Sequence, residues 1–143
     1  MAVKFKNLPP AEQQDYRDRM RHSAAHVLAE AVTKLLPEAQ LTIGPSIEDG
    51  FFYDFAVPDP FTPQDLKNIE LEMRKSINAN TEFIEREIDR DEALQLVKEN
   101  PYKVEILEGI PESERVTFCS HSNGEFEDLC RGGHMERTGD IKA

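Results

Sequence analysis

Apolar side chains recur every three or four residues from Tyr16 through Met20, Val27, Leu28 and Ala31 to Leu35, the spacing of one helical face. Pro9-Pro10 precedes this run and Pro37 follows it, so the pattern predicts a long helix that ends at Leu36. Two β-rich runs come next, Leu41–Ile47 and Phe51–Val57. The Glu48-Asp49-Gly50 between them signals a hairpin, because glycine supplies the positive φ of a tight turn. Thr62 as N-cap and Pro63 at the first helical position open a second helix, whose core face reads Leu66, Ile69, Met73 and Ile77. Thr81–Ile88 reads as a strand, Asp89–Glu92 caps a short helix bearing Leu94 and Val97, and Pro101 starts another through Leu107. Val116–Ser120 and Glu125–Cys130 read as strands joined at Asn123-Gly124, a second two-residue hairpin signal.

Helices and antiparallel hairpins in separate runs predict an α+β fold and exclude a doubly wound parallel sheet. The chain reads as one domain from residue 19 to 143, with residues 1–18 an N-terminal extension and the start of the long helix, and residues 62–80 an inserted or flanking helix. No repeat interrupts it. No apolar run is long enough to cross a membrane as a helix.

Charge changes the picture. The 143 residues carry 17 Lys and Arg against 28 Asp and Glu, a formal net charge of −11. The imbalance is uneven: residues 1–34 hold six basic and four acidic side chains, so the excess of acid lies in the remainder. Such a surface keeps a chain soluble but repels polyanions. A tight hold on nucleic acid would therefore come from a partner domain. Cys119 and Cys130 follow no apolar leader among the first residues, and read as reduced thiols of a cytoplasmic protein.

His22 and His26 are four apart on the long helix, within about 40° of one another around its axis. Ala29 and Thr33 share that stripe, which lies opposite the aliphatic face of Ala24, Val27, Leu28, Ala31 and Leu35. The pair reads either as two solvated histidines or as a ligand pair lined by small residues. Phe126, Asp128 and Cys130 alternate along a strand, so they share a face. Gly132-Gly133 then permits a tight return that brings His134 beside Cys130. His-x3-His with Cys-x3-His supplies three nitrogens and a thiolate, a set suited to tetrahedral zinc. Cys130 reads equally as a small buried hydrophobe.

Four segments carry a resemblance. They are Met20-Arg21-His22-Ser23-Ala24-Ala25-His26, Ile43-Gly44-Pro45-Ser46-Ile47-Glu48-Asp49-Gly50-Phe51-Phe52-Tyr53-Asp54, Tyr102-Lys103-Val104-Glu105-Ile106-Leu107 and Asp128-Leu129-Cys130-Arg131-Gly132-Gly133-His134. Together they resemble the editing domain of bacterial threonyl-tRNA synthetases, from about Arg19 to Ala143. The two His and Cys motifs are shared with alanyl-type editing domains; the second and third segments favour the threonyl branch.

The resemblance implies a long helix laid on an antiparallel sheet and hydrolysis of the seryl ester of mischarged tRNA(Thr). It implies a cleft lined by His22, His26, Lys103, Asp128, Cys130 and His134, with Tyr53 and Gly44 contacting substrate. In that reading His22 or His26 is the base, with His22 slightly favoured. Lys103 supplies positive charge to the oxyanion or the terminal ribose phosphate. Asp128 holds the serine ammonium or orients a histidine, and Cys130 shapes the pocket or ligates metal. Threonyl-type editing implies no cofactor, whereas alanyl-type relatives bind zinc through the positions of His22, His26, Cys130 and His134. The implied partners are the acceptor end of tRNA(Thr) and the catalytic domain of a parent synthetase; the catalytic and anticodon-binding domains are absent, and no membrane is involved. Gly133 stands where the family commonly has proline, which predicts a looser turn before His134. Two rivals remain, an alanyl-type trans-editing deacylase and a non-catalytic zinc or tRNA-docking module.

Overall fold

The computed structural model describes residues 7–42, 46–47, 50–51, 53–130 and 133–141. Gly44, the Glu48-Asp49 turn, Arg131 and Gly132 lie outside these residues. The fold is α+β, with four α-helices and short antiparallel strands among the described residues.

Helix α1 (Pro10–Leu35) starts with proline at its first position and stops where Leu36 leaves helical geometry ahead of Pro37. Strands β1 (Gln40–Leu41) and β4 (Phe55–Ala56) pair with each other, as do β2 (Ser46–Ile47) and β3 (Gly50–Phe51). The register Ile47↔Gly50 places Gly50 in the strand. Helix α2 (Pro63–Ala79) has the expected Thr62 cap, closed into a capping box: Thr62 Oγ1 accepts from Asp65 N at 3.1 Å, and the Asp65 carboxylate accepts from Thr62 N at 2.9 Å.

The larger sheet runs β5 (Ile84–Ile88), β6 (Val116–His121), β7 (Phe126–Leu129), antiparallel throughout. Helices α3 (Arg90–Val97) and α4 (Pro101–Glu108) cover one face, where Ala93, Val97 and Leu107 bury Val116 and Phe118. The alternate residues of β6 and β7, Cys119, His121, Phe126 and Asp128, point toward α1. That second face is polar, and it is where the chemistry sits.

Four expectations need correction. The His22–His26 stripe does not lie on an open side of α1: every residue from Ser23 to Val32 except Leu28 is buried, His26 included. Helix α2 packs on α1 through Ile69, while Tyr53 and Phe126 close over Ala25 and Ala29; the small side chains let neighbours approach all round. Leu35, expected in the core, is exposed. On α2 the buried stripe runs through Ile69 and Ser76, with Met73 half-buried, whereas Leu66 stays 58% exposed; the contacts with α1 centre on the middle and end of the helix. Finally, the β6–β7 connection is a four-residue loop, not a two-residue turn. Ser122, Asn123 and Gly124 all have positive φ (54°, 56° and 88°), and His121↔Phe126 is the closing pair. Thr81 Oγ1 accepts from Ser122 N at 2.9 Å and holds the loop open at that size.

A buried polar knot joins α1, α2 and β6. The Ser76 hydroxyl donates to Glu30, and His121 Nε2 lies 3.5 Å from the other carboxylate oxygen. Burial pushes the Glu30 carboxyl up, but the neighbouring His121, Ser122 and Ser76 outweigh it and hold it at about 2. The folded-state value lies below the ordinary one, so the stabilisation is present above about pH 4.5 and lost as pH falls toward 2. Glu30→Gln is expected to flatten that acid limb, removing up to about 3 kcal/mol of its pH dependence in urea unfolding followed from pH 5 downward. An unchanged slope would show that other carboxylates carry it.

Candidate functional site

Two groups of side chains meet between α1 and the sheet. In the first, α1 presents His22 and His26 one turn apart, Cys130 directly follows β7, and His134 lies beside it. His22 Nε2 lies 3.2 Å from His26 Nε2 and 3.4 Å from Cys130 Sγ, and His134 Nε2 lies 3.5 Å from the same sulfur. The His22 and His134 rings stack with centroids 4.3 Å apart, and Phe83 stacks on the far side of His134. One donor atom from each of the four residues falls within 4.8 Å of all the others. Three imidazole nitrogens and a sulfur converging in this way fit a tetrahedral zinc ion, since thiolate and imidazole are its usual ligands.

Electrostatics separates the members. Burial lowers the His26 pKa, so its ring is neutral near pH 7, although Cys130 and Asp128 oppose the shift. Hydrogen bonds from Cys119, His134, His22 and His26 push the Cys130 thiol far down against the effect of its burial.

The second group is Tyr53, Lys103 and Asp128. Asn100 caps α4, its side chain accepting from the Tyr102 and Lys103 amides, and the helix turns Lys103 inward. Lys103 Nζ sits 2.9 Å from Asp128 Oδ1 and donates to Tyr53 Oη at 3.1 Å; Tyr53 Oη donates to Asp128 Oδ2 at 2.5 Å. All three are buried. Lys103 is therefore no solvated amine and Asp128 no exposed edge carboxylate. Burial and the neighbouring Asp128 push the Tyr53 phenol up, so it remains a donor. His26 Nδ1 lies 3.9 Å from Asp128 Oδ2 and links the two groups. A cavity of about 310 Å³ reaches Lys103 and Asp128 between Leu41, Asn100 and Leu129.

The structure thus brings together His22, His26, Tyr53, Lys103, Asp128, Cys130 and His134. The chain is similar to a segment of threonine–tRNA ligases. It is 46% identical over 132 residues to the enzyme of Gluconobacter oxydans, covering 91% of the chain and 20% of that relative. It is 52% identical over 126 residues to that of Coxiella burnetii (87% and 19%), and 44% identical over 144 residues to that of Fusobacterium nucleatum (99% and 22%). The chain spans about a fifth of the length of the curated relatives it matches. No family model matches it.

Residues that the sequence did not single out complete the cluster. Cys119 hydrogen-bonds Cys130 from the adjacent strand, Phe83 supports His134, and Glu85 Oε1 lies 3.7 Å from His134 Nδ1. Strand register places Glu85 beside Cys119, and only the two-residue alternation from Cys119 to His121 hinted at a shared face. The turn before His134 is pinned as well: Gly133 adopts φ 87°, which proline cannot reach, and its amide donates to Glu85 Oε1 at 3.2 Å.

Proposed function

We propose that this chain is the editing module of a threonine–tRNA ligase, hydrolysing the seryl ester of mischarged tRNA(Thr) in the cytoplasm. The observation that carries the reading is the convergence of four His and Cys donors beside a buried Tyr–Lys–Asp group, in a chain 52% identical over 126 residues to a segment of one such ligase. Its partners are the tRNA acceptor end and the catalytic domain of the parent enzyme.

Ester hydrolysis needs a base for water, a cradle for the oxyanion and a proton for the ribose oxygen. His22, half-buried where His26 is fully covered, is the base that water reaches. The short contact between the two imidazoles requires one ring to donate and the other to accept, so His26 fixes the tautomer of His22. Lys103 supplies positive charge for the oxyanion, its ammonium held in place by Tyr53 and Asp128. Asp128, shared among Lys103, Tyr53 and His26, orients these groups. This chemistry proceeds with water and side chains alone.

A second reading is favoured by the donor set. His22, His26, Cys130 and His134 would hold zinc, which supplies Lewis acidity or a closed structural centre. Stoichiometric zinc without turnover would mark a docking module instead.

The test is deacylation of seryl-tRNA(Thr), threonyl-tRNA(Thr) and alanyl-tRNA by the purified chain. Rapid loss of serine with slow loss of threonine is expected. No hydrolysis above the buffer rate would overturn the proposal, and preference for alanyl-tRNA would move the chain to the alanyl branch. Cys130→Ala is expected to narrow the serine-over-threonine gap. Excluding one methyl is worth only about 1–3 kcal/mol, so a rigid wall between His22 and His134 matters. Full selectivity in that variant would remove Cys130 from the sieve.

A further inference from the structure

The register of the larger sheet lines up Glu85, Cys119 and Asp128 in one row across β5, β6 and β7. Alternation puts all three on the face toward the imidazoles. The two ends of the row are carboxylates, and each faces the Nδ1 of a different histidine. Asp128 Oδ2 lies 3.9 Å from His26 Nδ1, and Glu85 Oε1 lies 3.7 Å from His134 Nδ1. His134 is covered, its side chain only 2% exposed, and its Nδ1 has no hydrogen-bond partner among the described residues. A buried ring nitrogen without a partner calls for one. The same Glu85 oxygen accepts the Gly133 amide at 3.2 Å, so it already grips the residue before His134.

We infer that Glu85 is a positioning residue for His134, accepting a hydrogen bond from Nδ1–H so that Nε2 faces Cys130 and the cleft. The inference rests on reading this cluster as the reactive centre. A carboxylate behind an imidazole fixes which nitrogen carries the proton and which way the ring points, whether the front nitrogen serves a metal, a thiol or water. The 3.7 Å separation closes to a hydrogen bond with a small rotation of a side chain that is half exposed. Asp128 is already tied to Lys103 and Tyr53, whereas Glu85 is held at Oε1 by one backbone amide and has room to make that rotation.

The test uses chelator-treated, 15N-labelled protein and the variants Glu85→Leu and Glu85→Gln. Glu85 projects from an outer strand and is half exposed, so thermal melting is expected to match the parent in both. Long-range 1H–15N spectra are expected to show His134 Nδ1 protonated in the parent and in Glu85→Gln, whose carbonyl still accepts. In Glu85→Leu a population with unprotonated Nδ1 is expected. In seryl-tRNA hydrolysis, Glu85→Leu is expected to lower kcat about 10- to 100-fold at unchanged KM, with recovery in Glu85→Gln. An unprotonated Nδ1 in the parent, or a fully protonated one in Glu85→Leu, would overturn the inference. So would cobalt(II) that binds His22→Ala/Cys130→Ser protein and is lost on adding Glu85→Leu, since Glu85 would then be a ligand with Cys119 and His134. If the parent hydrolyses nothing, the editing reading falls while the spectra still decide the role of Glu85.

Discussion

Replacing Lys103 with methionine is expected to lower both stability and hydrolysis. The ammonium is buried against Asp128 at 2.9 Å, and removing it strands a carboxylate away from water. Breaking a buried pair from one side costs about 3–5 kcal/mol, whereas replacing both partners by apolar groups is often nearly neutral. Thermal melting of Lys103→Met should therefore fall by roughly 10 °C or more, and Lys103→Met/Asp128→Leu should regain most of that loss. Hydrolysis should stay low in both, because neither carries the positive charge. Lys103→Arg keeps a charge, and it should be the least damaged if charge rather than shape is what the reaction uses. A Lys103→Met protein that melts with the parent would show that the pair does not hold α4 over the edge of β7.

The second large effect concerns the helix histidines. His22→Ala and His26→Ala are each expected to slow seryl-tRNA hydrolysis by about 10²- to 10⁴-fold, mainly in turnover. The two should differ in stability. His26 is 3% exposed and packs against Phe126, so its truncation leaves a hole and lowers the melting temperature. His22 is half-buried, and its loss should lower the melting temperature less than that of His26. Parental rates in both variants would show that the cleft is not reactive.

Local features of the chain were legible because they depend on neighbours in sequence. The Thr62-Pro63 start of α2, the proline-bounded length of α1 and the sharing of one strand face by Asp128 and Cys130 follow from capping chemistry and from the periods of helix and strand. Burial around α1 was misread for the opposite reason. Angular position says which residues share a side, but not which distant element covers that side. His26 ended up inside because Phe126 packs over it, a contact between residues one hundred apart in the chain. The β6–β7 loop was misjudged because Thr81, far back in the chain, captures the Ser122 amide.

By itself the sequence determined an α+β chain, the two paired motifs of His22 with His26 and of Cys130 with His134, and a formal net charge of −11. Tertiary structure decided that the two motifs share one centre, that Lys103 turns inward onto Tyr53 and Asp128, and that Glu85 stands behind His134. The physical reason is separation along the chain. Spacings of two to four residues are set by backbone geometry, whereas contacts across fifty to a hundred residues depend on strand register and helix packing, which no local pattern encodes.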